Sequence, residues 1–478
     1  MHRHGTRSVN RELPTIDRQT ADAAGVARQL SFRTLFRAFL ALFPLSGCAV
    51  APPGDKGIAI VDESGVLPDD QVSRLVDSLV HEADDPAVEA LLAGIASLSR
   101  VPLYSGNAVE LLVDGPATYA AMLDALSSAS RYVYLETYIF ADDPIGQRFA
   151  EALIDKRKSG VDVHVIYDAI GSIASDADFF DRMRDVGIEL IEFNGLNPIN
   201  GGNPLKVNHR NHRKLLVVDG DVAFTGGINL SSTYSSDSGS RHNRNPVRNG
   251  WRDTHIAVRG PAVAGFELGF LQRWAEHDGV SDRTVTSDWM QRNHGDNIIG
   301  ILTADGDDEE ESEIFAAYID AMMTAKRTIW IAQAYFVPDV RFLTMIKDAA
   351  QRGVDVRVLV PGFTDSKAVL AASRSRYDDL LSAGIRVYEA QHALLHAKTA
   401  VIDGVWSTVG SSNLDYRSFL HNDEINVVVL GSEFGNKMQE QFLKDIGNAR
   451  EITVREWRQR PLALKAAERL TWLIEYWL

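Results

Sequence analysis

One short pattern occurs twice in this chain. His212, Lys214 and Asp219 form an HxKxxxxD run, and His396, Lys398 and Asp403 repeat it. Each copy continues at the same spacing into a glycine, a small residue and an asparagine: Gly226, Gly227 and Asn229, then Gly410, Ser411 and Asn413. A single copy is a weak signal, whereas a second copy with the same extension makes coincidence untenable. A duplicated motif implies a duplicated fold, with one lobe per copy.

Local geometry follows from alternation. Residues two apart in a strand face the same side, so the spacing predicts that each His-Lys pair presents an imidazole and an ammonium to one surface. The apolar runs at 215–218 and 400–402 end at Asp219-Gly220 and Asp403-Gly404. Asp-Gly between such runs signals a tight hairpin. Returning strands at 222–225 and 405–409 would bring Asn229 and Asn413 back towards the His-Lys end. Asp219 and Asp403 then sit at the far turn, where fixing the loop by hydrogen bonds suits them better than direct chemistry.

The duplication extends further. The run at 132–140 is echoed at 328–336, and Gly160-Val-Asp-Val163 recurs as Gly353-Val-Asp-Val356. Each half reads strand, helix, strand, further helix, motif hairpin, with elements expected at 132–140, 147–159 and 161–167, then at 328–336, 340–352 and 354–360. This alternation predicts an α/β fold of two pseudo-symmetric lobes, each a mixed, mostly parallel sheet flanked by helices. One active site should lie between them, because each copy supplies half of the groups. A chain of 478 residues is too long for one ordinary core. The expected division is a signal region over 1–48, a tether and extension over 49–104, a first lobe over 105–290 and a second over 291–478.

Charge bears on partners. Nonspecific nucleic-acid binding relies on a basic surface, and the formal net charge here is −16. A local basic stretch runs from Arg241 to Arg252; it reads equally as a solvated loop or as a receiver of an anionic lipid headgroup. The acidic run from Asp305 to Glu313 reads as a solvated linker or helix start; calcium binding is the alternative, but the run lacks an EF-hand loop pattern. At the other end, Arg33 and Arg37 precede an apolar stretch and then Leu45-Ser-Gly-Cys48, similar to a bacterial lipoprotein signal with lipidation at Cys48. Cys48 is the only cysteine, so no internal disulfide forms. The location this implies is the bacterial cell envelope, lipid-anchored, facing the periplasm or the outside. The aromatic-rich end at 470–478 suits either a lipid interface or a helix packed on the second lobe.

The paired motif with its GG or GS and Asn extension resembles the phospholipase D superfamily. Further blocks resemble bacterial cardiolipin synthases: HRK at 212–214, Trp251-Arg-Asp-Thr-His255, Gly260-Pro-Ala-Val263, and the run Asn413 to Ser418 leading to Asn422 and Glu424. The resemblance covers roughly residues 105 to 478. It implies His212 as nucleophile and His396 as general acid and then base, passing through a phosphohistidine that an alcohol or water resolves. Lys214, Lys398, Asn229 and Asn413 would hold the non-bridging oxygens. Asp253 and Glu424 would each orient an imidazole, in either pairing, and Ser411 would donate to phosphate where the first copy has Gly227. His209, His242, His255 and His392 suit supporting or surface roles. No cofactor and no metal are expected, since lysines supply the positive charge and no recognisably spaced ligand cluster occurs.

The expected activity is a phosphatidyltransferase that joins phosphatidylglycerol to a second lipid alcohol, giving cardiolipin. The alternative is a phospholipase D-type hydrolase of lipids or, less favoured, a nuclease. Both share every catalytic residue and differ in whether the pocket admits water or an alcohol. The expected partners are a phospholipid substrate and a membrane reached through the lipid anchor, without nucleic acid or an obligate protein partner.

Overall fold

The computed structural model describes residues 58–83, 87–98, 102–195, 207–236, 250–277, 292–306, 312–364 and 366–471. The signal region with Cys48, the stretch from Arg241 to Arg248, the middle of the acidic run and residues 472–478 lie outside the described residues.

In the first lobe the strands lie in the order Glu189–Phe193, Asp162–Asp168, Tyr132–Thr137, Leu215–Val218, Val222–Gly226, Thr254–Arg259, Leu103–Val113. The second lobe repeats it: Arg386–Ala390, Asp355–Pro361, Thr328–Gln333, Lys398–Ile402, Trp406–Gly410, Asn422–Leu430, Asn297–Ala304, with Ala449–Ile452 added outside Arg386–Ala390. Leu103–Val113 also pairs with Asn297–Ala304, which joins the two sheets. The two α/β lobes are therefore as expected, but the sheets are not mostly parallel. Only three adjacent strands of each lobe pair in parallel, because only there does a helical crossover return the chain beside the strand it has just left. The motif hairpin and its return strands reverse direction at each step and make the remaining pairings within these two strand orders antiparallel.

Both motif hairpins turn at Asp-Gly. Asp219 and Gly220 have φ of 55° and 69°, and Asp403 and Gly404 have φ of 53° and 73°. Two successive positive φ values define the tight turn whose twist matches the strands it joins. Side-chain alternation divides each motif strand between two cores: Leu215 and Val217 join the core shared by both lobes, while Leu216 and Val218 face the outer core of the first lobe. The shared core also takes Phe266, Phe270 and Trp274 from helix Ala262–Glu276, and Phe434, Met438 and Phe442 from helix Ser432–Ile446. The segment ahead of the first lobe, with Val72, Val76 and Leu92, packs in the outer core of the second.

Two boundaries differ informatively from the pattern. Helix Pro144–Lys158 starts ahead of the expected 147 because Asp143 caps it, accepting from the amides of Ile145 and Gly146, with proline in the first turn. The strand from Tyr132 stops at Thr137, and the chain leaves the sheet to form an isolated bridge from Phe140 to Leu230. That departure carries Tyr138 towards the motif.

Candidate active site

His212 and Lys214 lie in an extended stretch just ahead of strand Leu215–Val218, and His396 lies likewise ahead of Lys398–Ile402. The expectation that the HxK triplet sits inside the strand is thus displaced outward. Lys398 Nζ lies 3.0 and 3.1 Å from the two ring nitrogens of His396 and 2.6 Å from its carbonyl; Lys214 Nζ lies 2.5 Å from the His212 carbonyl.

Each histidine is docked by the opposite lobe. A short parallel bridge pairs Arg210–Asn211 with Asn422–Asp423, and its counterpart pairs Trp251–Arg252 with Leu394–Leu395. Beyond the bridges, the His212 amide donates to the Asp423 carbonyl at 2.9 Å and the His396 amide to the Arg252 carbonyl at 2.7 Å. The next residue in each case is the orienting carboxylate. Both oxygens of Glu424 lie 2.9 Å from His212 Nδ1, and Asp253 Oδ2 lies 2.7 Å from His396 Nδ1. Both carboxylates are fully buried, and their histidine and lysine neighbours hold them ionised against that burial. An ionised carboxylate only accepts, so each Nδ1 carries the hydrogen and each Nε2 is left as the reactive nitrogen.

Burial pushes the His212 and His396 imidazoles down to about 4, with the two lysines adding to the effect and the carboxylates opposing it. Lys214 is lowered to about 7, mainly by burial, with Lys398 beside it contributing. Such packing of cations suits an anion between them.

The remaining predicted residues divide. Asn229 Oδ1 accepts from the Ile139 amide at 3.1 Å and its Nδ2 donates to Tyr234 at 2.8 Å, while Asn413 Oδ1 is buried without a partner among the described residues. The Ser411 hydroxyl is engaged by the protein itself: it donates to Glu424 Oε2 at 2.5 Å and accepts from the Ile425 amide at 3.0 Å. Gly227 leaves room for the other carboxylate, since a Cβ there would overlap Asp253 Oδ1. Asp219 and Asp403 stand away from the histidines, at the far end of each hairpin. Asp219 accepts from the amides of Ser130, Arg131 and Tyr132, and Asp403 from those of Lys326, Arg327 and Thr328, all within 2.8 Å. They moor each hairpin to the start of the neighbouring strand.

Sequence reasoning missed the aromatic walls. Tyr138 meets the His212 ring edge-on at 5.0 Å, while Trp251 and Tyr234 meet His396 at 4.8 and 5.5 Å. Trp251, at the head of the Trp251-Arg-Asp-Thr-His255 block, was the available signal for one of them, whereas Tyr138 has only Ala334 opposite it in the second copy. His209 bonds Asp423 at 2.7 Å, His255 is buried beside Gly226 and His392 is exposed, whereas His242 lies outside the described residues. One group among the described residues has metal-ligand types in reach, Asp162, His164 and Glu189, separated from the motif hairpin by strand Tyr132–Thr137 and lying towards its Asp219 turn rather than towards His212.

Fold and site together define a two-lobed protein of the phospholipase D type, with one His-Lys pair from each lobe. The family model described as "Cardiolipin synthase, PLD-like domain" matches residues 122–242 and 318–446. The chain is 35% identical to the cardiolipin synthase of Geobacillus sp. strain WCH70 over 380 residues, covering 79% of this chain and 74% of that one. It is 34% identical to cardiolipin synthase 2 of Bacillus anthracis over 418 residues, covering 86% and 78%. The major cardiolipin synthase of Bacillus subtilis is 33% identical, covering 77% and 75%. Among solved structures, a phosphatidylserine synthase of Haemophilus influenzae shares the fold, with a TM-score of 0.60 at 13% identity, over 81% of this chain and 100% of that one. The chain belongs to the PLD-like family of cardiolipin synthases.

Proposed function

We propose that this protein is a cardiolipin synthase, a phosphatidyltransferase that joins phosphatidylglycerol to a second lipid alcohol through a phosphohistidine. The carrying observation is the exchange of carboxylates between lobes: each imidazole has its Nδ1 tied to a buried carboxylate from the other lobe, which leaves two Nε2 atoms for one phosphodiester. His212 Nε2 attacks phosphorus as the P–O bond to glycerol breaks, and His396 delivers its Nε2 proton to the departing alkoxide. His396, now neutral, takes the proton of the acceptor hydroxyl, whose oxygen displaces His212 from phosphorus. Burial keeps the free imidazoles neutral, which readies the nucleophile; the acid gains its proton when the anionic substrate enters and offsets the lysines. Lys214 and Lys398 stabilise the charge that builds on the non-bridging oxygens, with the Asn413 amide as a further polar contact.

The membrane relation is part of the same proposal. No helix among the described residues is long and apolar enough to cross a membrane. The Leu45-Ser-Gly-Cys48 box supports an anchor on Cys48 and an envelope location. Cys48→Ser should move the protein from the detergent phase to the aqueous phase; unchanged partitioning would sink the anchor. For the activity itself, lipid mass spectrometry of cells gaining this gene should show cardiolipin rising as phosphatidylglycerol falls. An unchanged cardiolipin pool with accumulating phosphatidic acid would favour the hydrolase.

A further inference from the structure

Behind the two histidines the lobes are linked by a second pair of contacts, and these break the pseudo-symmetry in an ordered way. Arg252 and Asp423 occupy equivalent places: each lends its carbonyl to the other lobe's catalytic histidine, and each directly precedes the orienting carboxylate, Asp253 or Glu424. Their side chains, however, carry opposite charges. Arg252 is gripped by Asp445 from helix Ser432–Ile446 of the second lobe, Nε to Oδ1 at 3.0 Å and Nη2 to Oδ2 at 2.8 Å. Asp423 is ion-paired with Arg273 from the equivalent helix Ala262–Glu276 of the first lobe, Nη1 to Oδ2 at 3.3 Å, a looser contact than the Arg252 fork. Arg273 continues to Asp305 at 2.8 Å, which Arg213 of the first motif also reaches, at 2.5 Å. His209 and the Gly306 amide complete the Asp423 carboxylate at 2.7 and 3.0 Å.

Alternation makes the consequence mechanical. Neighbouring strand residues point to opposite faces, so pinning residue 252 or 423 on the rear face fixes the carboxylate of residue 253 or 424 on the front. The sign reversal adds a selection rule. Lobe one offers an arginine on both its strand and its helix, Arg252 and Arg273; lobe two offers an aspartate on both, Asp423 and Asp445. Two copies of the first lobe docked in this manner would set arginine against arginine, and two copies of the second would set aspartate against aspartate. Buried like charges at that range repel strongly.

We propose that Arg252 and Asp423 are positioning residues, clamped by Asp445 and Arg273, that hold the two orienting carboxylates in register across the lobe interface and allow only a first lobe to complete a second. The inference rests on the site described above as the seat of catalysis. It does not depend on which phosphodiester the site takes.

The test uses the full-length protein and whichever diester the wild type turns over, so failure of the cardiolipin reading and failure of the clamp are told apart. Asp445→Asn should lower kcat by about tenfold with KM changed little, while Asp445→Glu, which keeps the ion pair, retains most of the rate. With Asp253 held less closely, His396 gains less support for its charge and gives up its proton sooner, so the basic limb of the kcat profile should move to lower pH. Asp445→Arg should lose more than Asp445→Asn, and the exchange Arg252→Asp/Asp445→Arg should recover about tenfold over Asp445→Arg. Arg273→Lys keeps the charge but loses the fork that spans Asp305 and Asp423, and should lower kcat at unchanged KM; it carries the test if Asp445→Asn does not fold. Wild-type kcat and pH profile in Arg273→Lys or a folded Asp445→Asn, or an exchange no better than Asp445→Arg, would overturn the proposal.

Discussion

At the scale of single residues, the two halves of the site solve one problem with different side chains. The first half pairs a bare Gly227 with the short Asp253, and the second pairs Ser411 with the longer Glu424. Gly227→Ala should therefore displace Asp253 from His396 and lower kcat by about two orders of magnitude; Ser411→Ala removes one supporting bond and should cost about tenfold at most. Steady-state kinetics of the two variants checks the order, and equal losses would contradict it. The pH dependence has a definite sign. Lys214 is held down to about 7 by burial, so the ammonium needed against phosphate is lost as pH rises past that value, and activity falls. On the acid side, His212 gains its proton near 4, which would silence it as the proposed nucleophile. A kcat/KM profile that falls between those limits, with the kcat limb shifted upward by bound phosphate, is expected; one still rising at pH 9 would contradict it. The histidines, lysines and asparagines could be read from their spacing. Which carboxylate serves which histidine could not, because each pair crosses lobes and joins residues far apart in the chain.

At the scale of elements, the Asp-Gly hairpins and the strand-helix-strand repeat followed from pattern, since positive φ and alternation leave strong local marks. The share of antiparallel pairing did not, because return strands such as Thr254–Arg259 carry no sign of their neighbours. The reading of Asp219 and Asp403 as loop-fixing residues matches where they stand, although their partners lie on a neighbouring strand rather than in the turn itself. Asp403→Ala leaves three backbone amides without their acceptor. It should cost about 3 kcal/mol of stability, measured by denaturant unfolding, while each folded molecule keeps far more activity than His396→Ala. Full stability with lost turnover would instead place Asp403 in the chemistry.

At the scale of the whole molecule, one site is built from two lobes that each lack half of it, and the exchange is reciprocal: His212 with Glu424, His396 with Asp253. His212→Ala and His396→Ala should each cost about as much as the double variant, because the imidazoles act as a unit; additive losses would mean two independent sites. What would separate transfer from hydrolysis lies outside these shared groups, in whether an alcohol or water completes the reaction. The most direct measurement is therefore the product ratio from purified protein in mixed micelles of phosphatidylglycerol. The account predicts cardiolipin and glycerol released one for one, reversal by added glycerol, and phosphatidic acid only as a minor product; predominant phosphatidic acid would contradict it.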